Sequence, residues 1–450
     1  MKLPNLPLLE NLRNDPIFSR VIKTSSHFFS ASTISTGLSV VQSVLAARLL
    51  GVASFGLLGM VMSYTTSVNR LLSFRMSEAV VRYGGEYLEQ KDRQKAAALI
   101  KASSFAEGIV SLIAFLVVSL SADLATRYIL KTPDTQRLLT LYAFGLLANF
   151  NVETSTGILQ ITHKIKLQGL INLLQAVVTA SIITAAYFLN GTLEAVLSGY
   201  LFGKIISGLG ILIAAQIQTH RLLETNWLKA SIKDLPDLKE MIKFAFSSNL
   251  SATAILAFRE SELLWIGLFL STEAAGYYKA AYAIVSLLSV PANPLILTTY
   301  PEINRLIVQK SWARLRDFLR KITTFSFIYN TAIALGLIFF GKFILRIYGE
   351  QYEAAYPALI ALLLGFVFNY ILFWNRPLLL SLALPAFPFK STLIAGMIKI
   401  ALAFPLVPRF GYIAEAGLLS FYYVASVGAN VWRGLKDIRE KEKLTPDALP

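Results

Sequence analysis

The 450-residue chain contains no cysteine and only three histidines. Without a thiol there is no disulfide, no thiolate nucleophile and no Cys-ligated metal. His27, His163 and His220 are scattered, and no pair has ligand spacing, so no metal centre is expected. Charge is scarce too: Asp, Glu, Lys and Arg make up 15% of the chain against 55% hydrophobic residues. A soluble protein of that composition would lack a polar surface, so the class is a polytopic membrane protein. Residues 1–25 carry Pro4, Pro7 and Pro16 and lack a continuous apolar run. No cleavable signal is therefore expected, and the first helix serves as its own insertion signal. The sequence also lacks a catalytic triad, a nucleotide motif and any long external loop that could house an active site. An enzyme is not expected, and no cofactor is implied. Gly199-Tyr-Leu-Phe-Gly203-Lys204 is one residue short of a phosphate loop, has no following Ser or Thr, and lies in an apolar stretch. It reads as small-xxx-small helix packing.

What the chain does have is apolar runs. Twelve of them approach the ~20 residues a bilayer needs. They are Phe28–Ala47, Phe55–Phe74, Ala98–Leu120, Leu138–Ile158, Leu167–Tyr187 and Leu193–Ala215, then Phe244–Leu270, Gly276–Leu297, Ile322–Leu345, Ala358–Leu382, Phe389–Val407 and Ile413–Val431. The net charge of +15 is unevenly placed. With the N-terminus inside, inner segments and their flanks carry 27 Lys and Arg and outer ones seven. That asymmetry puts both termini in the cytoplasm and attributes the basic charge to topology instead of nucleic acid. The inner loop 77–97 is expected to hold an interfacial amphipathic helix or a solvated connector. Pro291 and Pro294 are expected to kink the eighth span.

The two halves repeat weakly. Gly56 and Gly276 follow the first and seventh spans, Gly191 and Gly411 precede the sixth and twelfth, and both pairs are 220 residues apart. This predicts an all-α integral membrane fold of about 12 helices in two six-helix bundles, related by a parallel internal repeat around a central cavity. The expected division is 1–27 as a cytoplasmic segment, 28–218 as the first bundle, 219–243 as a cytoplasmic linker, 244–431 as the second bundle and 432–450 as a cytoplasmic tail.

Ionisable residues inside spans are expensive and mark function or pairing. Arg75, Lys101 and Glu415 lie near predicted helix ends and are expected to snorkel to the interface. Glu107, Lys204, Arg259, Glu262, Arg376 and Lys399 have no such explanation, and Arg70 and Lys279 are intermediate. Cations outnumber carboxylates among them, so an inward-facing set suits an anionic cargo; Arg offers phosphate a bidentate fork and Lys a point charge. Arg48, at the outer end of the first span, joins that set of candidates. Glu107 and Glu262 are candidates for proton or cation coupling, with pairing to Arg259 or Lys399 as the alternative. An Arg259–Glu262 pair one turn apart would instead only lock packing.

Three segments carry a resemblance. Ala47-Arg-Leu-Leu-Gly-Val-Ala-Ser-Phe-Gly56 resembles the end of the first helix in polysaccharide and O-antigen flippases of the multidrug/oligosaccharidyl-lipid/polysaccharide (MOP) exporter superfamily. Glu262 through Ala281 is similar to that family's seventh-helix hairpin, with Glu262 in place of the usual Asp. Val407-Pro-Arg-Phe-Gly-Tyr-Ile-Ala-Glu-Ala416 is similar to the turn before its last helix, with Ala414 and Glu415 replacing Gly-Ala. The resemblance implies movement of an undecaprenyl-pyrophosphate-linked oligosaccharide from the cytoplasmic to the periplasmic leaflet of a bacterial inner membrane by alternating access. Arg259, Arg376 and Lys399 would hold the headgroup, with Glu262 orienting Arg259 or carrying a coupling proton. Partners would be the lipid-linked oligosaccharide, membrane lipids, and polysaccharide polymerase and chain-length proteins, with no nucleic acid. A cation-coupled multidrug antiporter of the same superfamily is the alternative.

Overall fold

The computed structural model describes residues 16–73, 75–223, 227–231, 235 and 256–444. The described residues are helical almost throughout, as an apolar chain in hydrocarbon must be to satisfy its backbone internally. In chain order the helices are α1 (16–50), α2 (52–72), α3 (76–89), α4 (Arg93–Leu130), α5 (Gln136–Ala148), α6 (Val152–Ile161), α7 (Ile165–Phe188) and α8 (Leu193–Leu223). After a π-helical turn, Leu256–Glu260, come α9 (Glu262–Phe269), α10 (Thr272–Ser286), α11 (Ser289–Val308), α12 (Trp312–Tyr348), α13 (Tyr356–Ile371), α14 (Asn375–Ser381), α15 (386–410) and α16 (412–444).

Among the described residues, seven helical stretches are long and apolar enough to cross a membrane, and the bent pair α10–α11 makes an eighth. Two of the seven hold two spans each, because the chain reverses within them. Gly51, at φ 72°, separates α1 from α2, and Gly411, at φ 69°, separates α15 from α16. Only a residue without Cβ takes that conformation at no steric cost. The broken helix α5–α6 and the described half of the seventh span complete the twelve; the expected start of the seventh span, 244–255, lies outside the described residues.

Prolines and polar side chains account for the breaks. The chain bends by 48° between α10 and α11. Pro291, the third residue of α11, cannot donate to the Leu287 carbonyl, and its ring presses on that group, so the bend falls at Leu287 and Leu288. The expected kink is thus present, centred a turn before the prolines. Asn69 and Arg70 do not interrupt the second span; α2 runs on to Leu72. The fourth span, in contrast, breaks at residues 149–151, where Asn149 Nδ2 donates back to the Gly145 carbonyl at 2.7 Å and closes α5. The tenth breaks between α13 and α14, where Asn375 Nδ2 donates to the Leu372 carbonyl at 2.8 Å. The loop 77–97 is largely helix: α3 buries Val80 and Tyr87 in a cluster with Ala96, Leu99 and Trp227.

By packing, the chain forms two compact units. The first spans Gly37–Gly276; the second spans Tyr277–Pro450 and takes in the chain up to Thr36. The expected linker at 219–243 lies partly outside the described residues, and the first unit runs past it to Gly276. The reason is the fit of α9 against residues 126–130: a Cβ on Gly267 would come within 2.7 Å of the Ile129 carbonyl and 2.3 Å of Met60.

Small residues set the closest crossings. Gly56 and Gly276, the repeat pair read from the sequence, touch each other's helices: a Cβ on Gly56 would lie 1.9 Å from the Thr272 carbonyl oxygen, and one on Gly276 would lie 2.1 Å from that of Val52. On α8, Gly199 faces Ile182 and Ile183 and Gly203 faces Thr179, the packing role expected for that pair of glycines. In the second unit Gly365 admits Ser420, whose Oγ accepts the Gly365 N–H at 3.0 Å.

Candidate functional site

The seventh-span hairpin places its charges at an irregularity. Arg259 and Glu260 end the π-helical turn Leu256–Glu260, and Glu262 begins α9. A π-turn rotates the residues that follow it relative to a regular helix and is common at functional sites. Glu262 is buried at 4% exposure, while Arg259 and Glu260 are half-buried.

Glu260 reaches across to α2 and forms an ion pair with Arg70. Arg259 and Arg75 lie close enough to Arg70 to repel it, and Lys204 on α8 feels the same guanidinium. Lys204 Nζ sits 4.6 Å from the centroid of the Tyr142 ring, a cation–π arrangement that holds a partly desolvated ammonium without a carboxylate. Arg75 is tied to Glu78 at 2.7 Å. Arg70 thus lies within electrostatic reach of two further cations singled out in the sequence, Arg259 and Lys204, all in the first unit, and of the Glu153 carboxylate. Chain separations of 55 to 189 residues hid that proximity.

Of the other candidates, Arg48 is also in the first unit, and Lys279, Arg376 and Lys399 belong to the second. Arg48 is exposed near the end of α1, just before the Gly51 reversal. Lys279 is half-buried on α10, and Arg376 is exposed on the short helix α14. Lys399 is 1% exposed and pairs with Glu415 across the Gly411 reversal, Nζ to Oε1 3.0 Å. Here the structure corrects an expectation. Glu415 does not snorkel to an interface; it is wholly buried, because α16 starts at residue 412 and Glu415 lies inside its first turn, packed against α15. Lys399 is accordingly matched by a carboxylate that the sequence reading placed at a surface. The only available signal was the substitution of Ala414-Glu415 for the family's Gly-Ala. Glu107 pairs with neither Arg259 nor Lys399. Its carboxylate accepts the backbone N–H groups of Glu153 at 2.8 Å and Thr154 at 2.9 Å, at the start of α6.

This geometry can be set beside known proteins. The model of the family described as polysaccharide biosynthesis protein matches residues 21–307, more than half of the chain. The chain belongs to that family. It is 23% identical over 293 residues to inner membrane protein YghQ of Escherichia coli (strain K12), an alignment covering 65% of this chain and 82% of that protein. Among solved structures it resembles an inward-facing multidrug resistance MATE transporter of the MOP superfamily, with TM-score 0.74, 14% identity and coverage of 91% of this chain and 96% of that one. It also resembles the lipid II flippase MurJ, with TM-score 0.68, 16% identity and coverage of 92% and 90%. A third likeness is a MOP superfamily transporter from Pyrococcus furiosus, described as having a binding pocket of reversed polarity, at TM-score 0.62, 13% identity and 99% coverage of each chain. The fold is that of the MOP superfamily, a multi-pass helical membrane protein.

Proposed function

We propose that this member of the polysaccharide biosynthesis family moves a lipid-linked oligosaccharide with a diphosphate headgroup from the cytoplasmic to the periplasmic leaflet of a bacterial inner membrane. The observation that carries the reading is that Arg259 and Lys204 lie within electrostatic reach of Arg70 in one unit, with Glu260 as the carboxylate in direct contact. A diphosphate entering that cluster would replace Glu260 as the partner of Arg70 and gain a second guanidinium from Arg259. Charge-assisted hydrogen bonds of this kind are about twice as strong as neutral ones, and Arg presents them in pairs. Glu262, buried one turn from Arg259, is the coupling group in this reading. Both termini are cytoplasmic in it, in line with the excess of Lys and Arg on that side. The protein would act beside a polysaccharide polymerase and chain-length partners.

The test is an accounting of lipid-linked intermediates by leaflet in a host deleted for this gene. It compares empty vector, wild type, Arg259→Gln and Arg70→Gln with Lys204→Gln, all at matched membrane levels. The reading expects inner-leaflet accumulation that only the wild type clears. No accumulation in the deletion host would sink it and turn attention to a drug-sensitivity panel, since a multidrug transporter shares this fold. Clearance by all the variants would remove the cation cluster from the mechanism and leave the cargo standing.

A further inference from the structure

The helix α12, in the second unit, is longer than a bilayer is thick, and its excess lies at one end. Its 37 residues span about 55 Å, against the ~30 Å of a hydrocarbon core. Ile328, Leu335, Phe339 and Phe343 are exposed, and their spacings of seven and four residues put them on one side of the helix. Phe327 and Ile338 stand beside them and are exposed as well. A stripe of exposed apolar side chains on a membrane helix faces acyl chains. Counting the ~20 residues of a hydrocarbon core back from Phe343, the last of that stripe, puts its other edge at Thr324.

Past that edge the same stripe continues as cations. Arg314, Lys321 and Ile328 follow one another at intervals of seven, and Arg320 stands seven before Phe327. Seven residues are close to two full turns, so these side chains leave α12 on its lipid-facing side. The other side of these turns is core: Trp312, Leu315, Phe318, Leu319 and Ile322 are buried. Arg320 lies about 6 Å outside the hydrocarbon edge and Arg314 about 15 Å, the reach of a headgroup layer and its field. A second marker agrees. Arg316 pairs with Glu442 of α16 at 2.6 Å. Ten residues back along α16 from Glu442 stands Trp432, 62% exposed, with Lys436 Nζ 5.5 Å from its ring centroid. Ten residues along α12 from Arg316 is Ser326, within a turn of the edge counted above. Tryptophan is enriched at that boundary.

Other causes account for the neighbouring cations but not for these. Arg316 has Glu442, Lys321 has Asp317 at 2.6 Å and Arg305 has Glu302 at 2.8 Å. Arg314 and Arg320, with Lys310 in the turn before α12, are exposed, and among the described residues they form no ion pair and no side-chain hydrogen bond. A cation near the start of a helix opposes its dipole, and the first turn of α12 has no acidic residue, so helix stability does not explain Arg314. Topology explains why cations gather on one side of a membrane, but not why they prolong the lipid-facing stripe.

We propose that Arg314 and Arg320, supported by Lys310, hold the headgroup of an anionic phospholipid against the second unit. Arginine offers a phosphodiester paired donors and stays charged at every physiological pH. A zwitterionic lipid brings its own ammonium group and gains less. A resident lipid meets the apolar stripe with its acyl chains and the cations with its phosphate, so one molecule matches both parts of the surface. The site uses none of the cargo-binding cations and stands independently of the cargo.

The experiment takes the purified full-length protein, delipidated in detergent, and follows its binding of phosphatidylglycerol and phosphatidylcholine by native mass spectrometry. The wild type is expected to prefer phosphatidylglycerol by at least about fivefold. Arg314→Gln with Arg320→Gln should remove most of that preference, and Arg314→Lys with Arg320→Lys should keep most of it. Lys342→Gln with Arg409→Gln removes two exposed cations at the far ends of α12 and α15 and should leave the preference unchanged. An unaltered unfolding midpoint in phosphatidylcholine nanodiscs checks the fold of each variant; should the double glutamine variant unfold, Arg320→Gln alone carries the comparison. No preference in the wild type would overturn the proposal. So would a preference that survives the glutamine substitutions, or an equal loss in the Lys342→Gln, Arg409→Gln control, since net charge would then be the cause.

Discussion

Lys399 and Glu415 allow the sharpest test of what a buried charge is for. With Nζ and Oε1 3.0 Å apart and both side chains out of contact with solvent, an effective dielectric of about 20 gives an attraction of roughly 5 kcal/mol. Desolvating the two ions costs several kcal/mol each, so the pair adds little net stability. Glu415 Oε2 has no hydrogen-bond partner among the described residues, which lowers its worth further. Removing one partner is a different matter, because the other is left buried and uncompensated. Lys399→Met or Glu415→Met alone is therefore expected to destabilise the protein by about 3–5 kcal/mol, and the double substitution to lie near the wild type or up to a few kcal/mol above it. Reversible denaturant unfolding in mixed micelles, analysed as a double-mutant cycle, measures the coupling. Single variants within about 1 kcal/mol of the wild type, or a double variant as unstable as the worse single one, would refute the reasoning. Export by the stable double variant decides the second question. If Lys399 holds cargo, export fails in a well-folded protein; if the pair only ties α15 to α16, export survives.

Gly56→Ala would drive a methyl into the Thr272 carbonyl, a backbone atom that cannot swing away, and is expected to destabilise by about 1–3 kcal/mol in the same unfolding assay. Gly417→Ala is its control: nothing lies within 4 Å of the new carbon, so on helix propensity alone the protein should become more stable by up to about 1 kcal/mol. Asp92 caps α4 by accepting the Lys95 N–H at 3.0 Å, and the Lys95 side chain holds its carboxyl below the usual value. A depressed carboxyl stabilises the fold above its unfolded pKa and loses that contribution as the pH falls through the folded value. Amide exchange in the first turn of α4 should therefore accelerate as the pH drops below about 4, and Asp92→Ala should show the fast exchange at every pH. Tyr142→Leu, which removes the ring under Lys204, should weaken binding of a diphosphate-bearing lipid analogue; unchanged affinity in a fluorescence titration would show that Lys204 needs no such support.

The spans were legible because the bilayer imposes a length and an apolar composition that no other environment demands, and the observed helices fall on the expected runs. The repeat was legible for a similar reason. Gly56 and Gly276 sit where backbones touch, so a larger residue is sterically refused at either position, and the two glycines mark equivalent points 220 residues apart. Interruptions were harder to see. Asn149 and Asn151 lie in a run whose composition is that of an unbroken helix, and the break depends on where Asn149 donates and on Glu107, a partner 46 residues away from Glu153. Glu415 was misplaced because proximity to a predicted helix end says nothing of what packs beside it. The chain reverses so tightly at Gly411 that the first turn of α16 is already interior.

The charges show why a list of intramembrane residues cannot by itself become a site. Each buried charge must find compensation, and here three kinds are used: an ion pair at Lys399–Glu415, a helix N-terminus at Glu107 and an aromatic face at Lys204. Around Arg70, the cations Arg75, Arg259 and Lys204 share a neighbourhood with the carboxylates of Glu260, Glu78 and Glu153. An anion that displaces one of those carboxylates gains the attraction of several cations at once. On the proposed function, that is where a phosphate-bearing headgroup would be held. It also ranks the experiments. Neutralising Arg259 or Arg70 should cut affinity for an anionic lipid in a folded protein, whereas changing a residue kept only for packing should cost stability and leave affinity unchanged. An Arg259→Gln variant that is less stable than the wild type and binds the analogue equally well would assign that arginine to architecture.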